Sequence, residues 1–405
     1  MTTTPSPRVR RHAGRRNAFA FAAFGGLLAA SFAAVAAPDA RLRVVQPITD
    51  NASSVEPEGR LLLGPDGMLY GTLSQVNFYG VYGSVYRIER DGTTTPVVNF
   101  SDYTEGILPE AALVNGPGGW IYGTTGWGGN ASDGVIFRFQ PDGTYEKLAD
   151  FTEGPGTEQN AKLTGPLAVG PDSTVYGTSQ TNYGAPNLDT VYSLRQGQLA
   201  TLHVFDGADG ISPNGVVFGA DGRLYGTTSA GGAHGGGVLY AMTTAGAYEV
   251  LHDFDCAADG CGSIAALLRG DDGWFYGTTP EGGTRPAGLA GAGTVFRWQP
   301  GTGFQVVHVF AAGAPEGQAP ALELSQDKRG NLYGATQAGG AYGYGAVFAI
   351  APAGHLSVLH AFTGGLDGGN PWTGPTVKPG DKSLFGVTTT GGGLGNGAIY
   401  RLDAR

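Results

Sequence analysis

One short pattern, tyrosine-glycine-threonine, returns along the whole chain at near-constant steps, and no other feature restricts the fold as strongly. It stands at Tyr70-Gly71-Thr72, Tyr122-Gly123-Thr124-Thr125, Tyr176-Gly177-Thr178, Tyr225-Gly226-Thr227-Thr228 and Tyr276-Gly277-Thr278-Thr279. Two variants follow, Tyr333-Gly334-Ala335-Thr336 and Phe385-Gly386-Val387-Thr388, and the successive steps are 52, 54, 49, 51, 57 and 52 residues. A period of that size belongs to propeller blades of four strands, so seven copies predict seven blades.

Each copy holds four short apolar segments, clearest at Gly215–Gly219, Arg223–Thr228, Gly237–Met242 and Tyr248–Phe254, read here as strands a to d. Asp-Gly pairs such as Asp221-Gly222 lie between a and b, and pairs such as Asp91-Gly92 or Asp142-Gly143 between c and d, marking tight hairpins on one face. The longer glycine-rich b–c and d–a connections gather on the opposite face, where loops on a rigid scaffold carry function. The seventh copy stops after strand c at Ala398–Leu402. Arg43–Ile48 carries the pattern of the missing strand d, so its pairing with the last blade would close the ring and remove an exposed edge. The expected fold is all-β: one seven-bladed β-propeller of four-stranded blades over residues 37–405.

Composition agrees with many turns between short strands. Glycine numbers 72 without a Gly-X-Y period, and charged residues are only 14%, against about a quarter in ordinary domains. Residues 1–36 carry Arg8, Arg10, Arg11, Arg15 and Arg16, then the apolar run 18–30, then Ala34-Val35-Ala36, the layout of a secretory signal peptide. The apolar run is too short to span a bilayer. Without that segment 19 basic face 34 acidic side chains, a balance of −15. Such a field repels nucleic acid, so the expected partner is a carbohydrate or a surface protein, and the chain is expected to be a secreted or periplasmic monomer with no membrane span. Cys256 and Cys261 sit close together in a glycine-containing loop, and in an oxidising compartment they are expected to form a local disulfide. No further ligands accompany them, so neither a metal nor another cofactor is expected.

The recurring tyrosines and phenylalanines read as core. His203, His252, His308 and His360 share one strand-d position, where other copies place Val98, Ala149 and Gln46, so these histidines read as scaffold.

Taken together, the apolar step, Asp-Gly, Leu-Tyr-Gly-Thr-Thr, Gly-Gly, Gly-x-Val-Phe and Leu-His-x-Phe resemble the GloVer tandem repeat over about residues 42–405. The resemblance implies an exported bacterial propeller, often attached through a C-terminal sorting anchor. It implies no reaction. The chain ends at Arg405 directly after its last strand, so that anchor is not expected.

Departures from the repeat mark candidate functional positions. Glu58 and Glu110 share a register six residues before Gly64 and Gly116, with Arg60 beside the first, which would set two carboxylates at the mouth of the channel. A carboxylate pair is what glycoside hydrolysis uses as acid and base or nucleophile. His234 is the histidine in a b–c loop, and a lyase acting on uronic polysaccharide would need such a base with a cation such as Arg285 or Lys162. Aromatic b–c loops supply Phe78, Tyr79 and Tyr82, then Trp127, Tyr183, Tyr342 and Tyr344, flat surfaces suited to stacking on sugar rings. No nucleophile elbow, calcium loop or phosphate loop is present. The sequence therefore supports an exported binding propeller using its loop face toward carbohydrate or a surface component. A secreted glycoside hydrolase or polysaccharide lyase centred on the channel mouth is the alternative.

Overall fold

The computed structural model describes residues 41–403, apart from 48–54, 76–81, 110, 131, 152–160, 182–188, 264, 286–287, 381–382 and 394. Seven antiparallel sheets of four main strands follow one another, and no α-helix occurs among the described residues. Six are consecutive in the chain, spanning residues 55–99, 114–150, 161–204, 211–253, 268–309 and 318–361. Blade 4 shows the plan, with strands a to d at Ile211–Phe218, Leu224–Ala230, Val238–Met242 and Tyr248–Asp253. Blade 7 takes Thr376–Lys378, Ser383–Thr388 and Ala398–Asp403 from the C-terminal end and Arg41–Pro47 from the other. The Arg41–Pro47 ladder is antiparallel, running from Arg41 opposite Asp403 to Pro47 opposite Ala398.

The repeat motif explains itself once strands b and c are paired. Tyr225-Gly226-Thr227-Thr228 is strand b, and the ring of Tyr240 on strand c lies directly over Gly226, where an added Cβ would come within 2.5 Å of it. The same ring position is filled by Phe137 over Gly123, Tyr192 over Gly177, Phe296 over Gly277, Phe348 over Gly334 and Tyr400 over Gly386. A side chain larger than hydrogen would collide with a buried aromatic in each of these blades. The preceding tyrosine packs toward the next blade, and its hydroxyl donates to the a–b turn aspartate, as in Tyr225 to Asp221 at 2.8 Å and Tyr276 to Asp272 at 2.6 Å. The second threonine joins strands b and c at the loop end: Thr228 Oγ1 accepts from the Val238 N–H at 2.9 Å and donates to the Ala230 carbonyl at 3.0 Å.

Strand d carries one extra residue opposite the strand-c aromatic. This bulge recurs between Val85 and Tyr86, Ile136 and Phe137, Val191 and Tyr192, Leu239 and Tyr240, Val295 and Phe296, and Val347 and Phe348. The strand Arg41–Pro47 repeats it, with a shift between Val44 and Gln46 opposite Tyr400 and Ile399. Seven hydrophobic clusters each join two neighbouring blades, and one packs Leu61, Leu69 and Tyr86 of blade 1 against Phe385, Val387 and Ile399 of blade 7. A fully buried aromatic in such a seam stabilises by about 2 kcal/mol, so the ring is held chiefly between blades.

The strand-d histidines are part of this scaffold. His203 stacks on Tyr248 of the next blade at 4.0 Å between centroids, and His252 stacks on Phe304 at 3.8 Å. Each pairs through Nε2 with an acid from the following d–a loop: His203 with Asp209 at 2.7 Å, His252 with Asp259 and His360 with Asp367 at 3.0 Å, and His308 with Glu316 at 3.5 Å. Cys256 and Cys261 are disulfide-bonded within the d–a loop after blade 4.

Candidate functional site

Two features of the loop end could meet a ligand, the channel between the innermost strands and the exposed aromatics above it. Strand a is irregular in the middle, with register shifts between Glu58 and Leu62, Thr164 and Ala168, and Pro213 and Val216. Left-handed glycines at these kinks let adjacent strands touch. Gly59 (φ 65°) abuts the Ala112 backbone, and Gly165 (φ 65°) abuts the Asn214 backbone. A bulge re-aims the next side chain, and in blades 1, 3 and 4 Arg60, Pro166 and Val216 follow these kinks and line one cavity. A cavity of about 270 Å³ lies there, lined by Ala112, Pro166 and Ala266, by leucines of the inner strands, and by Arg60 and Glu323.

Arg60 and Glu323 are the charged pair of that wall. The guanidinium Nε lies 3.3 Å from Glu323 Oε2, and Arg60 Nη1 donates to the Leu324 carbonyl at 2.7 Å, so blade 1 reaches blade 6 across the inner strand of blade 7. Glu323 is 12% exposed at its side chain, sits at φ 54°, and leaves Oε2 without a hydrogen-bond partner. Burial pushes its carboxyl above the usual range, and Arg60 pulls it only part of the way back.

The sequence placed Arg60 in the channel region but with other partners. Glu58 lies on strand a opposite Thr72, but its side chain is outside the described residues, as are Glu110, Tyr79 and Tyr183 altogether. Glu323, the partner found for Arg60, was not singled out. Its signal is present in the repeat: the position holds Arg60, Ala112, Pro166, Ala266 and Glu323, two opposite charges among small residues.

The remaining candidates are spread around the ring. His234 stands exposed at the tip of the blade 4 b–c loop and makes no hydrogen bond or ion pair with a described residue. Arg285 is half-buried on a two-stranded hairpin, Thr284–Arg285 with Leu289–Ala290, inserted into blade 5. Tyr82 is half-buried, and its backbone ties the end of strand d in blade 1 to Leu108. Trp127 is exposed on blade 2, where its backbone pairs with Ile107 and the adjoining Gly128 rests against Tyr103, also exposed.

Among the described residues, four exposed apolar side chains fall on two adjoining loops at blades 6 and 7. Tyr342 (61% exposed) and Tyr344 belong to the b–c loop of blade 6, and Leu366 (77%) and Trp372 to the d–a loop that follows. These loops are locked together. The Tyr344 ring covers Gly364, where an added Cβ would meet it at 2.5 Å, and the Asn370 N–H donates to the Tyr344 carbonyl at 2.8 Å. Asn370 is fixed in turn by its side-chain amide to the Gln337 carbonyl and by Thr389 and Thr390 of blade 7. Trp372 then reaches the channel rim, for its carbonyl accepts from the Leu322 N–H at 3.0 Å, one residue before Glu323. Trp372 and Leu366 sit on a d–a loop, outside the b–c loops whose aromatics depart visibly from the repeat. No cluster of three metal-ligating side chains occurs among the described residues, and none of their helices is long and apolar enough to cross a membrane, which says nothing of β-barrels.

A family model described as the Gloeobacter/Verrucomicrobia repeat matches the chain three times, at residues 34–170, 160–290 and 282–405. No curated protein matches it. Among solved structures, the extracellular domain of BT4673 from B. thetaiotaomicron is similar with a TM-score of 0.54 and 14% identity, covering 90% of this chain and 40% of that one. A puromycin hydrolase variant complexed with PGG is similar with a TM-score of 0.53 and 13% identity, covering 83% of this chain and 50% of that one. The chain therefore spans half or less of the length of both, and at these identities the likeness concerns the fold alone.

Proposed function

The chain belongs to the Gloeobacter/Verrucomicrobia repeat family, and on that scaffold we propose an exported binding propeller whose loop face takes neutral carbohydrate through the aromatic sector of blades 6 and 7. The observation that carries this reading is the set of exposed Tyr342, Tyr344, Leu366 and Trp372 on two loops whose backbones are hydrogen-bonded to each other and to the inner wall at Leu322. Loops tied through their backbones lose little freedom on binding, and sugar rings offer apolar faces that stack on tyrosine and tryptophan. Exposed apolar groups of this kind mark interaction sites more often than they occur idly. An acidic chain, formally −10 overall, favours neutral over polyanionic glycans. The disulfide supports an oxidising compartment, and with the arginine-rich leader it supports export.

The test is affinity electrophoresis of the purified protein through gels containing neutral or uronic polysaccharides, with reducing ends and unsaturated products assayed on the same mixtures. Retardation by a neutral polysaccharide that falls at least tenfold in Trp372→Ala and Tyr342→Ala, without cleavage, supports the reading. Cleavage, or retardation unchanged in both variants, overturns it.

A further inference from the structure

The channel carries a second site, independent of the aromatic strip. Its cavity of about 270 Å³ has room for a small organic molecule or a cluster of waters, and most of its wall is apolar: Leu61, Ala112, Leu113, Pro166, Leu167, Ala266, Leu267. Against that wall stand an ion pair, Arg60 and Glu323, with Nε and Oε2 3.3 Å apart, and a second cation, Arg269, which is exposed and donates through Nη1 to the Phe218 carbonyl. A buried ion pair is stable when each member's remaining donors and acceptors are satisfied. Here they are not. Arg60, 30% exposed at its side chain, makes one hydrogen bond to a described residue, through Nη1 to the Leu324 carbonyl, and keeps donors open to the cavity and solvent, while Glu323 Oε2 is enclosed and accepts none from a described residue. Around the ring, the equivalent positions hold alanine, proline and glycine, so the two charges are special to blades 1 and 6 and serve no repeated need of the blade.

We propose that this channel binds a small aliphatic zwitterion, an α-amino acid type of ligand, with its carboxylate on the free Arg60 donors, its ammonium on Glu323 and its side chain on the leucine and alanine wall. A planar guanidinium suits a carboxylate through two parallel bonds, and an ammonium supplies the donor that Oε2 lacks. Opposite charges at this spacing match a molecule carrying both on one carbon better than a simple acid or a simple amine. The ligand is neutral overall, so its entry changes no net charge in the channel.

Calorimetric titration of the purified protein with L-leucine, 4-methylpentanoate and 3-methylbutylamine separates these chemistries, because the three share one side chain. Leucine is expected to bind at least tenfold more tightly than either partial analogue. Glu323→Gln should bring leucine down to the level of the acid. The double variant Arg60→Leu with Glu323→Leu keeps the fold, since replacing both members of a buried pair is well tolerated, and should bind none of the three. Trp372→Ala should leave leucine binding unchanged, which keeps this site distinct from the aromatic strip. Equal binding of acid and leucine, leucine binding retained by the double variant, or no binding of any of the three would overturn the proposal.

Discussion

Three strand-c tyrosines bury hydroxyls that have no hydrogen-bond partner among the described residues: Tyr192, Tyr240 and Tyr400. Burial pushes all three phenols well above the ordinary range. At the same position blades 2, 5 and 6 place Phe137, Phe296 and Phe348, which pack over their glycines in the same way. The hydroxyl is therefore not needed for the seam, and its desolvation is uncompensated. An unsatisfied buried hydroxyl costs about 1–3 kcal/mol, so each Tyr→Phe change should stabilise by about 1 kcal/mol after small packing adjustments. The three sites lie in different blades and should add, giving about 3 kcal/mol for Tyr192→Phe, Tyr240→Phe and Tyr400→Phe together. With about 2.1 cal/mol/K of unfolding entropy per residue over about 370 residues, that is a rise of about 4 °C in Tm. Differential scanning calorimetry and guanidinium unfolding both report it. A triple variant destabilised by more than 1 kcal/mol would refute the reasoning, because it would mean the hydroxyls have partners that stabilise the fold.

Other expectations follow from the same geometry. Replacing Cys256 and Cys261 by serine opens a loop of about six residues and should destabilise by about 2 kcal/mol in the chain-entropy model, with the circular dichroism of the folded state unchanged. Glu323 has a raised carboxyl, so its contribution is fully present below the ordinary carboxylate value and is lost as pH rises through its folded-state value; Glu323→Gln should flatten the decline in stability across that window in chemical-denaturation curves taken as a function of pH. Asp367 is the opposite case. Burial raises its carboxyl, but hydrogen bonds from Thr363 and then His360 outweigh that and hold it low, so Asp367→Asn should be destabilised at neutral pH, with the difference from the parent vanishing as pH falls through the depressed value. Removing residues 37–47 takes away the strand opposite Ala398–Asp403 and bares an edge, which should convert a monodisperse protein into concentration-dependent aggregates by light scattering.

Blade number and strand order were legible because the tyrosine-glycine-threonine step is periodic and the hairpin turns carry Asp-Gly. The reason for the glycine was not, since it depends on which strand-c ring lies over Gly226, a matter of register between residues fourteen apart. The scaffold role of the four histidines could be read from their shared position, but their acids could not: Asp209, Asp259, Glu316 and Asp367 follow at different distances because the d–a loops differ in length. Glu323 escaped for a similar reason. Counting back from the turn glycine works for Gly64 and Gly116, whereas blade 6 has Asp327 in that place in a turn of the same length, so no glycine marks the register. Trp372 reaches the rim through a loop-to-strand contact with Leu322 that no repeat pattern encodes.

The central claim, that carbohydrate is met at blades 6 and 7, is tested most directly by labelling the five tryptophans with 5-fluorotryptophan and titrating neutral oligosaccharides while recording the fluorine spectrum. The account predicts that the Trp372 resonance, assigned from Trp372→Phe, shifts saturably while that of Trp274, which lies under the Arg297 guanidinium on strand c of blade 5, stays in place. A spectrum in which Trp127 of blade 2 shifts and Trp372 does not, or in which none moves with any sugar, would contradict it.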